Sequence, residues 1–425
     1  MARTLICLLL VLIGTGNINA QSFRKDQDHF LEGEYFMLYS DYQDALPFYL
    51  QLYEKYPDNL NLAHKIGLCY LNIYGKKDLS IEYLENAARG ATANYREGSL
   101  KQMTPPYIAW FNLANAYRVN YHFEKAKQAF IKYKETLLPG DTENIIFIDQ
   151  QIQVCDNAKE MISKPVEFTV ENLGEQFNDA NSNFQPVRSG NGEAFAYMSS
   201  LKFYDAVFFS HREKGRWSGP INITPDIQSD GDLYISCLSE DGKSLYFSKI
   251  IEDDSDIYMS RFNGTRWMVA SKLEEKINSK YWDSHAFVTD HGSTIVFASD
   301  RPGGYGGLDL YISHKLDNDE WSDPENLGPE INTAFNDDRP SLTEDGQKLY
   351  FCSQGHYNMG GFDLFMSEIM QNGHWKKPAN LGYPLNTPDD DTFFMPVNNG
   401  KNGYISIYKQ DDGFGKEDIY YITFK

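Results

Sequence analysis

Two hydrophobic periods divide this chain. From Asp26 to Ser163 apolar residues recur at helical spacing, in segments punctuated by Pro57, Gly75, Pro105-Pro106 and Pro139. Beyond that, short runs rich in Tyr, Phe, Val and Ile alternate with glycine-containing turns, as strands with a buried face do. The pattern predicts a multidomain α+β chain with an α-helical N-terminal part and an all-β C-terminal part.

The β part repeats five times, at intervals of 50 to 55 residues. Each unit has a turn ending in Gly192, Gly242, Gly292, Gly346 or Gly400, followed by a strand such as Leu245–Ser248, Ile295–Ser299 or Leu349–Ser353. A further strand starts at Asp205, Asp256, Asp309, Asp363 or Asp418. Four units then place Trp217, Trp267, Trp321 and Trp375, and the last two continue into Asn326-Leu327-Gly328 and Asn380-Leu381-Gly382. Several short strands per unit at this period predict a five-bladed propeller over 165–425. The fifth unit ends at Asp418–Lys425 without such a segment, while Asn172-Leu173-Gly174 stands ahead of the first unit. The strand within Val166–Gly174 is therefore expected to complete the last blade and close the ring. Because the Asp column occurs in every unit, its expected work is to bond backbone N–H groups and pin hairpins; a catalytic residue has no reason to repeat.

In the helical part a unit of about 34 residues emerges. Gly33, Phe36, Ala45, Tyr49 and Pro57 make one copy, and Ile66-Gly67, Tyr70, Ser80, Leu84 and Ala87 a second. Trp110, Leu113-Ala114, Tyr117, Ala126 and Phe130, followed by Pro139, make a third. Their spacing resembles the tetratricopeptide pattern, which implies a superhelix of paired helices over 21–164. A last helix, about 143–162, would cap the stack through Ile146, Ile152, Cys155 and Met161. By register, the concave groove of such a superhelix receives His64, Leu68 and Asn72 from the second copy and Phe111, Asn115 and Arg118 from the third. His64, Asn72, Phe111, Asn115 and Arg118 are thus the candidate protein-binding residues. Asn115 and Arg118, three apart on one helical face, suit an extended peptide held through its amides or a carboxylate.

Charge refines this picture. Residues 21–164 carry 16 Lys/Arg and 19 Asp/Glu, and residues 165–425 carry 22 and 41. So acidic a propeller disfavours nucleic acid and anionic membranes. Runs such as Glu252–Asp256 and Asp389–Asp391 read as solvated turns, so no metal and no cofactor is expected. Cys69, Cys155, Cys237 and Cys352 are far apart and lack Cys-x-x-Cys spacing, which predicts buried thiols acting as small apolar residues. Arg3, the apolar run Leu5–Ile13 and the small residues up to Ala20 read as a signal peptide over 1–20. The mature chain is expected to start near Gln21, without lipid, in the periplasm. No later segment is long and apolar enough to span a bilayer.

The phrases Ser299-Asp300-Arg301-Pro302-Gly303-Gly304 and Gly306-Gly307-Leu308-Asp309-Leu310-Tyr311 resemble the WD40-like repeats of TolB-type propellers. The order signal peptide, tetratricopeptide repeats, WD40-like propeller resembles envelope proteins of the Bacteroidetes group, including the PorE-like component of type IX secretion. That resemblance implies a non-enzymatic protein-binding scaffold associated with the outer membrane, with envelope or secretion-system proteins as partners. Members of the group often end in an OmpA-like peptidoglycan-binding domain; this sequence stops at Lys425, so direct peptidoglycan binding is not expected. The alternatives are a propeller enzyme of glycoside-hydrolase type, with two or three carboxylates meeting in the channel, and a TolB-like partner of a Pal-type lipoprotein. Neither a Gly-x-Ser-x-Gly elbow nor a His-Glu-x-x-His helix occurs.

Overall fold

A computed structural model describes residues 23–425 except Asp253. The expected signal peptide and Gln21 lie outside the described residues. Two compact units are divided between Cys155 and Asp156.

The first unit holds α1 (23–38), α2 (Tyr42–Lys55), α3 (Leu60–Leu71), α4 (Ser80–Ala88), α5 (Ile108–Val119), α6 (Phe123–Lys134) and the start of α7 (Thr142–Ile162). From α2 to α6 each helix packs on the next, and small residues set how closely they approach. A Cβ on Gly67 would stand 2.6 Å from Leu84 Cγ, and one on Gly33 2.9 Å from the Tyr49 ring. Ala45, Ala114 and Ala126 are fully buried, as are Tyr49 and Phe130. Thus these small and aromatic residues of the 34-residue pattern sit where helices touch. Asn59 caps α3, its Oδ1 accepting from Asn61 N and Leu62 N, while its Nδ2 donates to Leu100 O. The long connection between α4 and α5 is further tied down by Leu100 N donating to Gln27 Oε1. One expectation is corrected: Ile146 of α7 is exposed and Ile152 only half-buried, and the buried positions are Ile148, Gln151, Val154, Cys155, Asn157, Ala158 and Met161. The buried face includes polar Gln151, which accepts a bond from Arg118.

The second unit is a five-bladed propeller of antiparallel sheets. Its inner strands are Asn183–Arg188, Leu233–Leu238, Asp283–Thr289, Asp337–Leu342 and Met395–Val397. Every sheet packs on its two neighbours, closing the ring. As expected, Phe168–Asn172 is the outer strand of the last blade, paired with Asp418–Phe424 from Phe168↔Phe424 to Asn172↔Tyr420. The five turn glycines all have positive φ, from 65° to 90°, where a side chain would be strained. Trp267, Trp321 and Trp375 are buried, and each pairs across a short bridge leading to the outer strand. The four described cysteines are all buried, and none is in a disulfide.

The acids repeated in the sequence tie elements together within each blade. Asp309 accepts from Tyr305 N, Gly306 N and Asn326 Nδ2, and Asp363 accepts from Met359 N, Gly360 N and Asn380 Nδ2. Asp418 accepts from Phe414 N and from Asn172 Nδ2, so the same tether spans the closure. In the other two blades the job changes hands: Asp256 pairs with Lys272, and Asp205 accepts from Ser200 Oγ. A second column was not anticipated. Asn178, Asn278, Asn332 and Asn386, each six residues beyond the outer-strand position 172, 272, 326 or 380, reach back to the preceding strand. Each clamps both the N–H and the C=O of one residue there: Ile419, Ile257, Leu310 and Leu364. Two hydrogen bonds per side chain satisfy backbone groups that would otherwise be buried unpaired.

Candidate partner-binding surfaces

The five candidate residues of the helical unit do not form one open face. His64 is buried, its Nε2 2.9 Å from Asn112 Nδ2. Burial pushes its imidazole down to about 3, so it is neutral at physiological pH. Arg118 is also buried, and its Nη1 donates to Gln151 Oε1 at 2.7 Å. Phe111 packs among Phe130, Tyr133 and Phe147, with ring centroids 5.6 to 6.2 Å away. Asn115 is half-buried, and Asn72 alone is exposed, its Nδ2 returning to Leu68 O. The expectation of His64 and Arg118 on an accessible groove is therefore corrected, while Phe111 is half-buried. Helical register chose their common side of the helix; Asn112 and α7 cover it.

The opening of this unit lies elsewhere on α5. A surface cleft of about 610 Å³ is lined by Trp110, Leu113 and Tyr117, with Arg89 and Lys125 among the charges around them. The Tyr117 hydroxyl donates to Glu85, and Lys125 stands over the Tyr117 ring at 5.1 Å. Tyr117 and Leu113 had been read only as packing residues, and their sequence spacing gave no sign of a cleft.

On the propeller, an axial depression of about 170 Å³ is lined by all five inner strands and the turns after the first four. Leu238, Phe287, Leu342, Met395 and Val397 supply its apolar surface, and Arg188, Glu240, His291 and Glu344 its charges. Through Glu240, Val288, Thr289 and His291 it adjoins a groove of about 820 Å³. That groove runs past Asp241, Tyr246 and Arg261 of the second blade to Lys315 and Asp317 of the third. His291 Nδ1 lies 2.6 Å from Glu240 Oε2, so one side-chain contact joins the two depressions.

The buried acids differ in how they are compensated. Asp283 faces Arg301 at 2.6 Å. Asp337 holds the same place on the next inner strand without a cation, and burial pushes its carboxyl up to about 7 against the bonds from Thr333. Asp391 is likewise raised well above the ordinary value by burial and by Asp363 nearby. Asn183 fills that place in the first blade and donates to Ser199 Oγ. Part of the Asp389–Asp391 run is thus drawn into the structure: Asp391 accepts from Thr387, and Asp390 from Phe362 N. The solvated-turn reading is corrected for half-buried Asp391; Asp390 is exposed, as that reading expects.

No protein-family model matches the chain, and no curated protein sequence is similar to it. Solved structures similar to the propeller region include TolB from Acinetobacter baumannii, at 16% identity and a TM-score of 0.39 over 57% of this chain. That match spans 54% of the TolB chain. Putative TolB from Agrobacterium tumefaciens matches at 16% identity and 0.37, over 58% of this chain and 78% of that one. The alpha-L-arabinofuranosidase from Lactobacillus brevis matches at 12% identity and 0.39, over 57% and 90%. A likeness at this level reaching both kinds of propeller assigns no activity. No helix among the described residues is long and apolar enough to cross a membrane.

Proposed function

We propose that this chain is a non-enzymatic, protein-binding scaffold of the cell envelope. It is exported to the periplasm, associates peripherally with the outer membrane and serves a secretion or envelope-assembly complex. In this reading the helical unit is a tetratricopeptide-type stack, supported by the close contacts at Gly33 and Gly67. The propeller is TolB-like and presents its axial face to a partner, while its repeated acids hold blades together.

The observation that carries the reading is the continuity of the axial depression with the groove between the second and third blades. An apolar centre rimmed by charges, leading into a longer polar furrow, suits an extended protein segment anchored by one apolar side chain. To test it, a photo-crosslinking residue is placed at Glu240 or Glu344 in native cells, with exposed Phe203 as the control position. Envelope proteins captured from 240 and 344 and not from 203 are the expected result. Capture from none of the three, together with hydrolysis of a glycoside by the purified chain, would overturn it in favour of the enzyme.

A further inference from the structure

Four of the five inner strands break register at the same level. The shift falls between Phe184 and Val187, Ile235 and Cys237, Ser284 and Phe287, and Asp338 and Ser341. Each bulge frees a residue from the ladder and re-aims its side chain. Gln185, His285 and Arg339 sit in these bulges at φ 48°, 49° and 52°, a conformation costly for side chains other than glycine. They stand three residues before Arg188, Val288 and Leu342, which line the axial depression. At about 3.3 Å per residue that places them roughly 10 Å further along the axis.

Polar groups gather at this level. His285 Nδ1 lies 2.8 Å from Asp338 Oδ1, joining neighbouring inner strands. Arg339 N donates to the same oxygen at 2.7 Å. Burial alone would raise the Asp338 carboxyl, but His285 and the charge of Arg339 hold it below the ordinary range. The Arg339 guanidinium acts on Asp338 through space, and no carboxylate among the described residues stands within ion-pair distance of it. Gln185 is 5% exposed, and its Oε1 has no partner; nor has the buried Oγ of Ser236 in the second blade's bulge. Unpaired buried polar atoms are costly unless something binds them.

We propose that this level of the channel binds a carboxylate flanked by a hydrogen-bond donor. Arg339 and Ser236 hold the oxyanion, and Gln185 Oε1 accepts from the neighbouring N–H or O–H. A planar guanidinium fork matches a carboxylate, and a cationic spot inside a propeller with 41 acids to 22 bases selects for an anion. The site is independent of the partner-binding reading above.

The test is isothermal titration of the full chain at constant ionic strength with four probes. N-acetylalanine offers a carboxylate and an amide N–H, lactate a carboxylate and a hydroxyl, acetate a carboxylate alone, and N-acetylalaninamide no carboxylate. N-acetylalanine or lactate should bind saturably and at least tenfold more tightly than acetate, and the amide should not bind. Whichever of the two is tighter tells a peptide terminus from a hydroxy acid. R339Q should weaken binding at least tenfold, and Q185L should erase the advantage over acetate. If R339Q does not fold, R339K, which keeps the charge and loses the fork, should weaken binding several-fold. Absence of saturable binding, equal binding of the amide, or unchanged affinity in the arginine variant that folds overturns the proposal.

Discussion

The two units solve one problem, keeping repeated elements in register, by different physical means. In the helical unit register is a matter of shape: Gly67 admits Leu84, and Gly33 admits the Tyr49 ring. In the propeller it is a matter of buried polar bonds, with Asp309, Asn326 and Asn332 forming one chain of contacts and Asp363, Asn380 and Asn386 another. Helices satisfy their own backbone, so their contacts need only fill space. A blade ends in loops with unpaired backbone groups, and side chains must satisfy them. Polar tethers therefore belong where the strands turn. They also bring ionisable groups into the interior, which the helical unit does only at a few places such as His64 and Arg118.

The largest expected effect comes from cutting the tether that spans the ring's ends. Deleting 166–174 removes the strand paired with Asp418–Phe424 and the Asn172–Asp418 and Asn178–Asn172 bonds. The loss should exceed about 4 kcal/mol and leave an aggregating edge. Chemical denaturation followed by tryptophan fluorescence measures it, since the blade tryptophans report the propeller.

Asn332→Ala sharpens the contrast. It strands the N–H and C=O of Leu310 and costs about 3 kcal/mol, with no neighbour able to move in. Gly67→Ala should cost about 1–3 kcal/mol by crowding Leu84, and here a second change should help. Combined with Leu84→Ala, the two should cost less than their sum, because the added methyl occupies space that the leucine vacates. A double-mutant cycle by thermal denaturation reads the coupling; strict additivity would break the packing side of the comparison.

Ionisation should split the units further. Asp337 in the folded chain titrates at about 7 against 3.8 for the free group. Between those values it is protonated when folded and ionised when unfolded, so stability falls as pH rises through that window. Asp337→Asn, which copies Asn183 of the first blade, should add roughly 3 kcal/mol at pH 8 and little at pH 4. His64 runs the other way. Its folded value of about 3 against 6.5 means the unfolded chain takes up the proton first. Its contribution is present above pH 6.5 and is lost as pH falls, by roughly 2 kcal/mol at pH 5. Denaturant titrations at the stated pH values check both.

How much of this was legible in the sequence follows the same division. Blade number, turn glycines and the closing strand could be read because they repeat, and Asn172-Leu173-Gly174 matched two later segments outright. The column Asn178, Asn278, Asn332 and Asn386 recurs in four of the five blades, yet it sits in loops of varying sequence and was missed; its constant six-residue offset was the signal. The candidate groove residues failed for a different reason. Periodicity places Arg118 and His64 on a side of a helix but does not say what covers that side, and Gln151 and Asn112 do. The axial depression was invisible, because it is made of single residues from five distant strands brought together only by ring closure.

Hydrogen–deuterium exchange at pH 5 and pH 8, corrected for intrinsic rates, tests the central claim most directly, because it reads both units in one chain. Going from pH 8 to pH 5, protection should fall in α3 and α5, around His64, and rise in Asp337–Leu342 and its paired strand. Protection that changes in the same direction in both units, or in neither, would contradict the account that a buried ionisable group in each, His64 in one and Asp337 in the other, couples its packing to pH in opposite senses.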